Sequence, residues 1–379
     1  MSAEDPLRVG IVCDLLEERW PSMDLVADAL MRFLPGVHTP RIEPVRIRPA
    51  MPRWPAALAR MSRLRVAVNA NRYLDRHRRY PRWLRRHHGD CDAYHIVDHT
   101  YAHLVHELPA SRTVVTCHDV DAFRALFDPV GEPRSRAFRR MAQRVLEGLR
   151  RAAIVACDSV ATRDALTSHG LRSTRLEVIP LGVDPAFTPA PTVHAADGPA
   201  LLLHVGSTIP RKRIDLLLQI FTRLRAIEPG VRLVRVGGPF TPEQRRMAAT
   251  LGVLDAVDVM PTLERGELVA LYRRSALVLM PSDAEGFGLP VVESMACGTP
   301  VVASDLPVLR EVGGESAAYA RRGDMEHWVE AVASLLAERR ADPARWAARR
   351  AAGLTQAARF RWDRYAQRMA ELYAEVAHG

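Results

Sequence analysis

Short apolar runs recur along the chain and alternate with longer stretches whose apolar positions fall at helical spacing. One series of runs is RVGIVC (8–13), AYHIV (93–97), TVVTC (113–117), AAIVAC (152–157) and LEVIP (176–180). A second is ALLLHVG (200–206), VRLVRVG (231–237), VDVM (257–260), ALVLMPS (276–282), PVVAS (300–304) and AAYA (317–320). VGIV and LLLHV are continuously apolar, as a parallel strand covered on both faces must be. With helices between them, the runs predict βαβ units. The stretch PLGVDPAFTPAPTVHAADGPA (180–200) is rich in Pro and Gly and reads as a linker. The expected fold class is α/β, with two Rossmann-like, doubly wound domains facing each other across a cleft. Their expected bounds are 1–182 and 183–355. Residues 356–379 are expected to form a C-terminal helix that packs back on the first domain. Its apolar face is Trp362, Tyr365, Met369, Leu372, Tyr373 and Val376.

Composition narrows the class. At 379 residues, 48% hydrophobic and 26% charged, the chain has the make-up of a soluble enzyme with two cores. No run of apolar residues is long enough to span a membrane. MSAEDPLRVG does not read as a secretory signal, so a cytoplasmic protein is expected. Five scattered cysteines without a C-x-x-C pair predict buried thiols rather than disulfides or structural zinc.

The net charge of +9 is uneven: residues 41–90 hold 14 Arg against three acids, an excess of +11. ARMSRLRVAVNANRYLDRHRRYPRWLRRHH (59–88) has two readings. One is solvated helices. The other is a peripheral contact with an anionic inner-membrane face, with Tyr73, Tyr80, Trp83 and Leu84 at the interface. No nucleic-acid partner is expected, because the charge is localised and no recognisable binding module accompanies it.

Ligands of doubly wound sheets lie at the carboxyl ends of strands. That points to GSTIPRKR after LLLHV, to GGPF (237–240), and to SDAEGFGLPVVESMACGTP (282–300). Gly286 and Gly288 permit close backbone approach, and a helix starting near Pro290 offers N–H groups that suit a phosphate. Glu285 in the loop and Glu293 in the helix can accept hydrogen bonds from sugar hydroxyls. Lys212 is the single lysine of the chain, set among 52 arginines, and it sits in the first of these loops.

EGFGLPVVESMACGTPVVAS (285–304), with its two glutamates separated by seven residues, closely resembles the signature of retaining glycosyltransferases of the GT-B fold, family 4. VGSTIPRKRIDLLLQIF, ACDSVATRDAL (156–166), VIPLGVDPAFTP (178–189) and TCHD (116–119) extend the resemblance over nearly the whole chain. It implies an acceptor-side first domain and a second domain that binds a nucleotide sugar. It implies that Glu285 holds the transferred sugar and Glu293 the ribose. Backbone amides at Phe287, Gly288 and Leu289 would face sugar and diphosphate. Arg211 and Lys212, in the loop that begins with Gly206 and Ser207, would neutralise the leaving diphosphate. His118 would contact the donor sugar, and Gly237 and Gly238 would line the nucleotide pocket.

The resemblance further implies transfer with retention from a UDP- or GDP-sugar to a glycan, lipid-linked or small-molecule acceptor. No metal and no cofactor beyond the nucleotide sugar are expected. The sequence departs from the family at Ser207, where many members have Arg, and at CDLLEERWPSMDLVADAL (13–30), which replaces a Gly-rich loop. Trp20, Ser22, Asp98 and His99 are the expected acceptor-side residues. His99 and His103 have the spacing of metal ligands on a helix, with Asp98 beside them, but H-E-x-x-H is absent and an acceptor role is the stronger reading. The alternative function is a nucleotide-sugar epimerase on the same fold, working without an acceptor.

Overall fold

The computed structural model describes residues 5–18, 21–51, 71–171, 175–190 and 199–378, and only the backbone of 21–23. The chain divides into two compact units. One is Met1–Gly182 together with Trp362–Gly379, the other Val183–Arg361.

The first unit carries β1 (Leu7–Val12), β2 (Ile42–Ile47), β3 (Ala93–Ile96), β4 (Thr113–Cys117), β5 (Ile154–Cys157) and β6 (Arg175–Val178). They form one parallel sheet in the order β2-β1-β3-β4-β5-β6. The second unit carries β7 (Leu201–Val205), β8 (Arg232–Val236), β9 (Val257–Met260), β10 (Leu277–Met280), β11 (Val301–Ser304) and β12 (Ala318–Ala320). Their order is β12-β11-β10-β7-β8-β9, again all parallel. In each sheet the chain winds one way, returns to the middle and winds the other way. The reversal falls between β1 and β3 in one sheet and between β7 and β10 in the other. Loops at the carboxyl ends of those strands part there and leave a crevice.

Each unit has its own core. Leu202, Leu217, Phe221, Leu233, Leu277, Val302 and Trp328 pack in the second, and Ile96, Tyr101, Val115, Phe123, Leu146 and Val155 in the first. β2 has no counterpart among the expected runs. Its sequence, IEPVRI, interrupts the apolar pattern with two charges and Pro44. An edge strand tolerates both, since one side of its ladder needs no donors.

The C-terminal helix spans Trp362–His378 and buries all six residues of its expected apolar face. The expected border at 356 falls inside the preceding helix, Pro343–Ala357, and residues 356–361 belong to the second unit. They are held there by the Val183 N–H, which donates to the Phe360 carbonyl at 3.1 Å, and by a bridge from Val183 to Arg361. Buried polar groups then fix the last helix on the first sheet. The Tyr373 hydroxyl and His95 Nδ1 are 2.7 Å apart, as are His95 Nε2 and Thr116 Oγ1.

The aromatic membrane face read into 59–88 is corrected where the structure describes it; residues 59–70 lie outside the described residues. Tyr80 is fully buried and its hydroxyl donates to the Cys13 carbonyl at 2.7 Å. Leu84 is buried too, and Trp83 is half-buried and stacked on His87. Of the four, Tyr73 alone is exposed. The first core takes the side chains that the basic helix would need at an interface. Among the described residues no helix is long and apolar enough to cross a membrane.

Candidate active site

The carboxyl ends of β7 and β10 bring together what the sequence separates by over 70 residues. After β7 the chain passes Gly206 and Ser207 and makes a 3-10 turn, Pro210–Lys212. Arg213 then takes a left-handed conformation (φ 50°, ψ 50°), the one non-glycine residue with positive φ among the described residues. Such strain persists only where surroundings impose it. Here Asp215 accepts from the Arg213 guanidinium at 2.9 and 3.0 Å, and Asp283 accepts at 3.2 Å. The Asp283 N–H also donates to the Arg211 carbonyl at 2.8 Å, joining the two loops.

Lys212 and Arg211 thereby reach Glu285. Lys212 Nζ is 2.6 Å from Glu285 Oε1, and an Arg211 terminal nitrogen is 3.3 Å from Oε2 and 2.8 Å from the Ala284 carbonyl. The Glu285 and Lys212 side chains are only 6% and 12% exposed, so little water screens the pair. Gly288 (φ 100°) turns the chain into the helix Leu289–Ala296, with Pro290 in its first turn. A Cβ at Gly288 would fall 2.7 Å from Leu309 Cδ2, so both dihedral and space require glycine. Amides of the first helical turn have no intrahelical partner and carry the positive end of the helix dipole. The Phe287 ring packs edge-on against Phe360, 5.6 Å between centroids, so only its backbone is available to a ligand.

Glu293 lies one turn further in. The Tyr272 hydroxyl donates to its Oε2 at 2.8 Å. Burial pushes the Glu293 carboxyl up to about 7, against the pull of that hydroxyl and of Arg265. Gly237 and Gly238 also follow a strand end, but both their N–H groups donate to the Met260 carbonyl, at 3.2 and 3.1 Å. A Cβ on Gly237 would meet the Gly206 carbonyl oxygen at 2.1 Å. These glycines bring two loops into contact, and their amides are already satisfied.

In the first unit, His118 follows β4. Its Nδ1 lies 2.6 Å from Asp158 Oδ2 and its Nε2 2.8 Å from the Val97 carbonyl. Burial disfavours its charge, yet Asp158 and Asp98 outweigh burial and push it up to about 10. The ring is a cation at neutral pH with both donors engaged. A sugar contact through a ring nitrogen would have to displace one of these partners. Asp98 caps the 3-10 segment His99–Glu107, accepting from the Thr100 N–H at 2.8 Å and its hydroxyl at 2.5 Å. His99 Nδ1 accepts from the His118 N–H at 3.3 Å, and its Nε2 lies 3.6 Å from Asp119. His103 instead bonds the Arg76 carbonyl at 3.0 Å. The 3-10 winding turns the two histidines apart, so they do not share a site. Trp20 and the Ser22 side chain lie outside the described residues.

Three site neighbours escaped the sequence reading. Asp14, just past the end of β1, is buried close to Asp98. Burial and the Asp98 charge raise its pKa well above the ordinary range. Asp158 holds His118, and Arg235 lies beneath the Gly206 loop. The available signals were an acid directly after an apolar run and an arginine inside one.

The model described as glycosyl transferases group 1 matches residues 190–352, and the one described as glycosyltransferase family 4 matches residues 25–187. The chain belongs to the family 4 glycosyltransferases. It is 34% identical over 243 residues to a D-inositol 3-phosphate glycosyltransferase of Thermobispora bispora, covering 59% of this chain and 56% of that one. It is 36% identical over 217 residues to that of Mycolicibacterium paratuberculosis, covering 53% and 47%. The chain thus spans about half the length of the curated relatives it matches. Among solved structures, HepE of Anabaena with UDP and glucose superposes with a TM-score of 0.72 at 18% identity, covering 97% of this chain and 100% of that one. Sucrose-phosphate synthase from Thermosynechococcus elongatus gives 0.67 at 21%, covering 97% and 98%. Likeness at such identity speaks for the fold, which is GT-B.

Proposed function

We propose that the chain is a retaining glycosyltransferase that moves a hexose-type sugar from a UDP- or GDP-sugar to a hydroxyl of a glycan, lipid-linked or small-molecule acceptor. The observation that carries this reading is the contact of Lys212 and Arg211 with Glu285 at the start of the helix Leu289–Ala296. On donor binding the partners separate: Glu285 takes sugar hydroxyls, and the two cations take the diphosphate. Charge grows on the leaving phosphate as the glycosidic bond breaks, so fixed cations there favour the transition state over the ground state. The acceptor hydroxyl attacks from the face the phosphate leaves, and a leaving phosphate oxygen takes its proton. No protein base is then required, and the cations serve in place of a divalent metal. Glu293 holds the ribose.

HepE was solved with UDP-glucose, and the curated relatives are named for inositol phosphate. That pair is the first donor and acceptor to try. The first test is calorimetry with UDP, GDP and ADP on wild type, Lys212→Ala and Glu293→Ala. Micromolar binding of one diphosphate, weakened at least about tenfold by each substitution, is expected. A folded wild-type chain that binds none of the three would overturn the reading.

A further inference from the structure

The basic loop looks like the source of positive charge for an anionic ligand, but its charges cancel. Arg211 and Lys212 face Glu285, and Arg213 faces Asp215 and Asp283. Three cations meet three carboxylates. A surplus positive charge must come from elsewhere, and one lies directly behind the loop.

Arg235 points from β8 into the second unit and is fully buried. It has no carboxylate partner among the described residues. Its guanidinium donates to three backbone carbonyls instead: Gly206 at 2.7 Å, Gly237 at 3.1 Å, and Gly238. The ring of Phe240 lies 5.9 Å from its central carbon. Buried charge is costly unless paired, and carbonyl dipoles offset only part of that cost. Burial, and after it the charges of Lys212 and Arg235, push the ring of His204 beside the Gly206 loop down to about 3. Peptide geometry adds a second effect. In a trans peptide the carbonyl and the next N–H point in opposite directions. Holding the Gly206 carbonyl against Arg235 therefore turns the Ser207 N–H outward, onto the exposed side of the loop.

We infer that Arg235 is the positioning residue of the donor phosphate site, supplying its uncompensated positive charge from beneath and aiming the Ser207 N–H at the diphosphate without touching it. This rests on the donor reading above. Low-dielectric surroundings let a charge act over several ångströms, so its effect scales with the charge on the ligand.

The test is a phosphate series. Wild type, Arg235→Met and Arg235→Lys are titrated by calorimetry with uridine, UMP and UDP, or with the guanosine or adenosine series if wild type prefers that base. For Arg235→Met the expected loss is about tenfold or more for UDP, smaller for UMP and absent for uridine. Arg235→Lys, which keeps the charge, should recover most of the UDP affinity. Equal losses across the three ligands, or none, would overturn the inference and leave Arg235 a structural clamp. If Arg235→Met fails to fold by its thermal midpoint, Arg235→Gln removes the charge while keeping an amide to bond a carbonyl, and the same comparison decides. A wild-type chain that binds no nucleoside diphosphate would instead count against the donor reading itself, so the two failures are distinguishable.

Discussion

Glu293 and His118 are both raised, for different reasons: at Glu293 burial outweighs the Tyr272 hydroxyl, and at His118 neighbouring carboxylates outweigh burial. Glu293 is raised to about 7. Its folded value lies above its unfolded one, so ionising it in the fold costs stability that appears as pH rises from about 4.5 through about 7. The thermal midpoint of wild type, measured relative to Glu293→Gln, is expected to fall across that range. Nucleotide affinity should move the other way, since the ionised carboxylate is the better acceptor for ribose hydroxyls; calorimetry against pH should show a rise that Glu293→Gln lacks. His118 is raised to about 10, so its stabilisation is full below about 6.5 and is lost as pH climbs through about 10. Asp158→Asn should remove that dependence and bring the imidazole titration, followed by NMR, down toward the ordinary range. The sequence displayed Glu285, Glu293, Arg211 and Lys212 because loop and helix chemistry tie such residues to a motif. Arg235 stayed hidden: an arginine inside an apolar run says nothing of which carbonyls it will meet, and those come from two loops about 30 residues apart in the chain.

The elements that carry the site are held by backbone geometry as much as by side chains. Gly288→Ala would force a Cβ into Leu309 at a positive φ and is expected to cost about 1–3 kcal/mol, read from denaturant midpoints, with loss of diphosphate binding. The C-terminal helix is anchored through Tyr373 and His95, and Tyr373→Phe should cost about 1 kcal/mol by leaving a buried imidazole nitrogen unpaired. Both sheets were legible as runs of apolar residues, since central parallel strands must be apolar on two faces. β2 was not, because an edge strand is released from that demand. The border at 356 falls too early: 356 and 357 end the helix Pro343–Ala357, and the chain beyond it is tied to Val183 by a single bridge at Arg361, which leaves no periodic trace.

Taken whole, the chain keeps two cores, and each sheet places polar groups at its own winding reversal. Ligand effects should follow that division. Hydrogen exchange with UDP is expected to protect residues 204–213 and 283–297, with little change around His95 and Thr116. Protection spread evenly over both units would mean that nucleotide binding orders the chain globally rather than at the β7 and β10 loops. The overall architecture was open to the sequence because it repeats one pattern twice across a linker. Six residues on one face showed that the last stretch is a helix with a buried side, but such a face does not say which sheet it covers.

The tie between the last helix and the first sheet reverses the usual order of events during synthesis. The first unit leaves the ribosome early, yet its sheet waits for Trp362–His378, which emerge only after the whole of Val183–Arg361. At about 5–20 residues per second the wait is roughly ten to forty seconds. Throughout it, the docking face around His95 and Thr116 is uncovered in the nascent chain, while the second unit can already be complete.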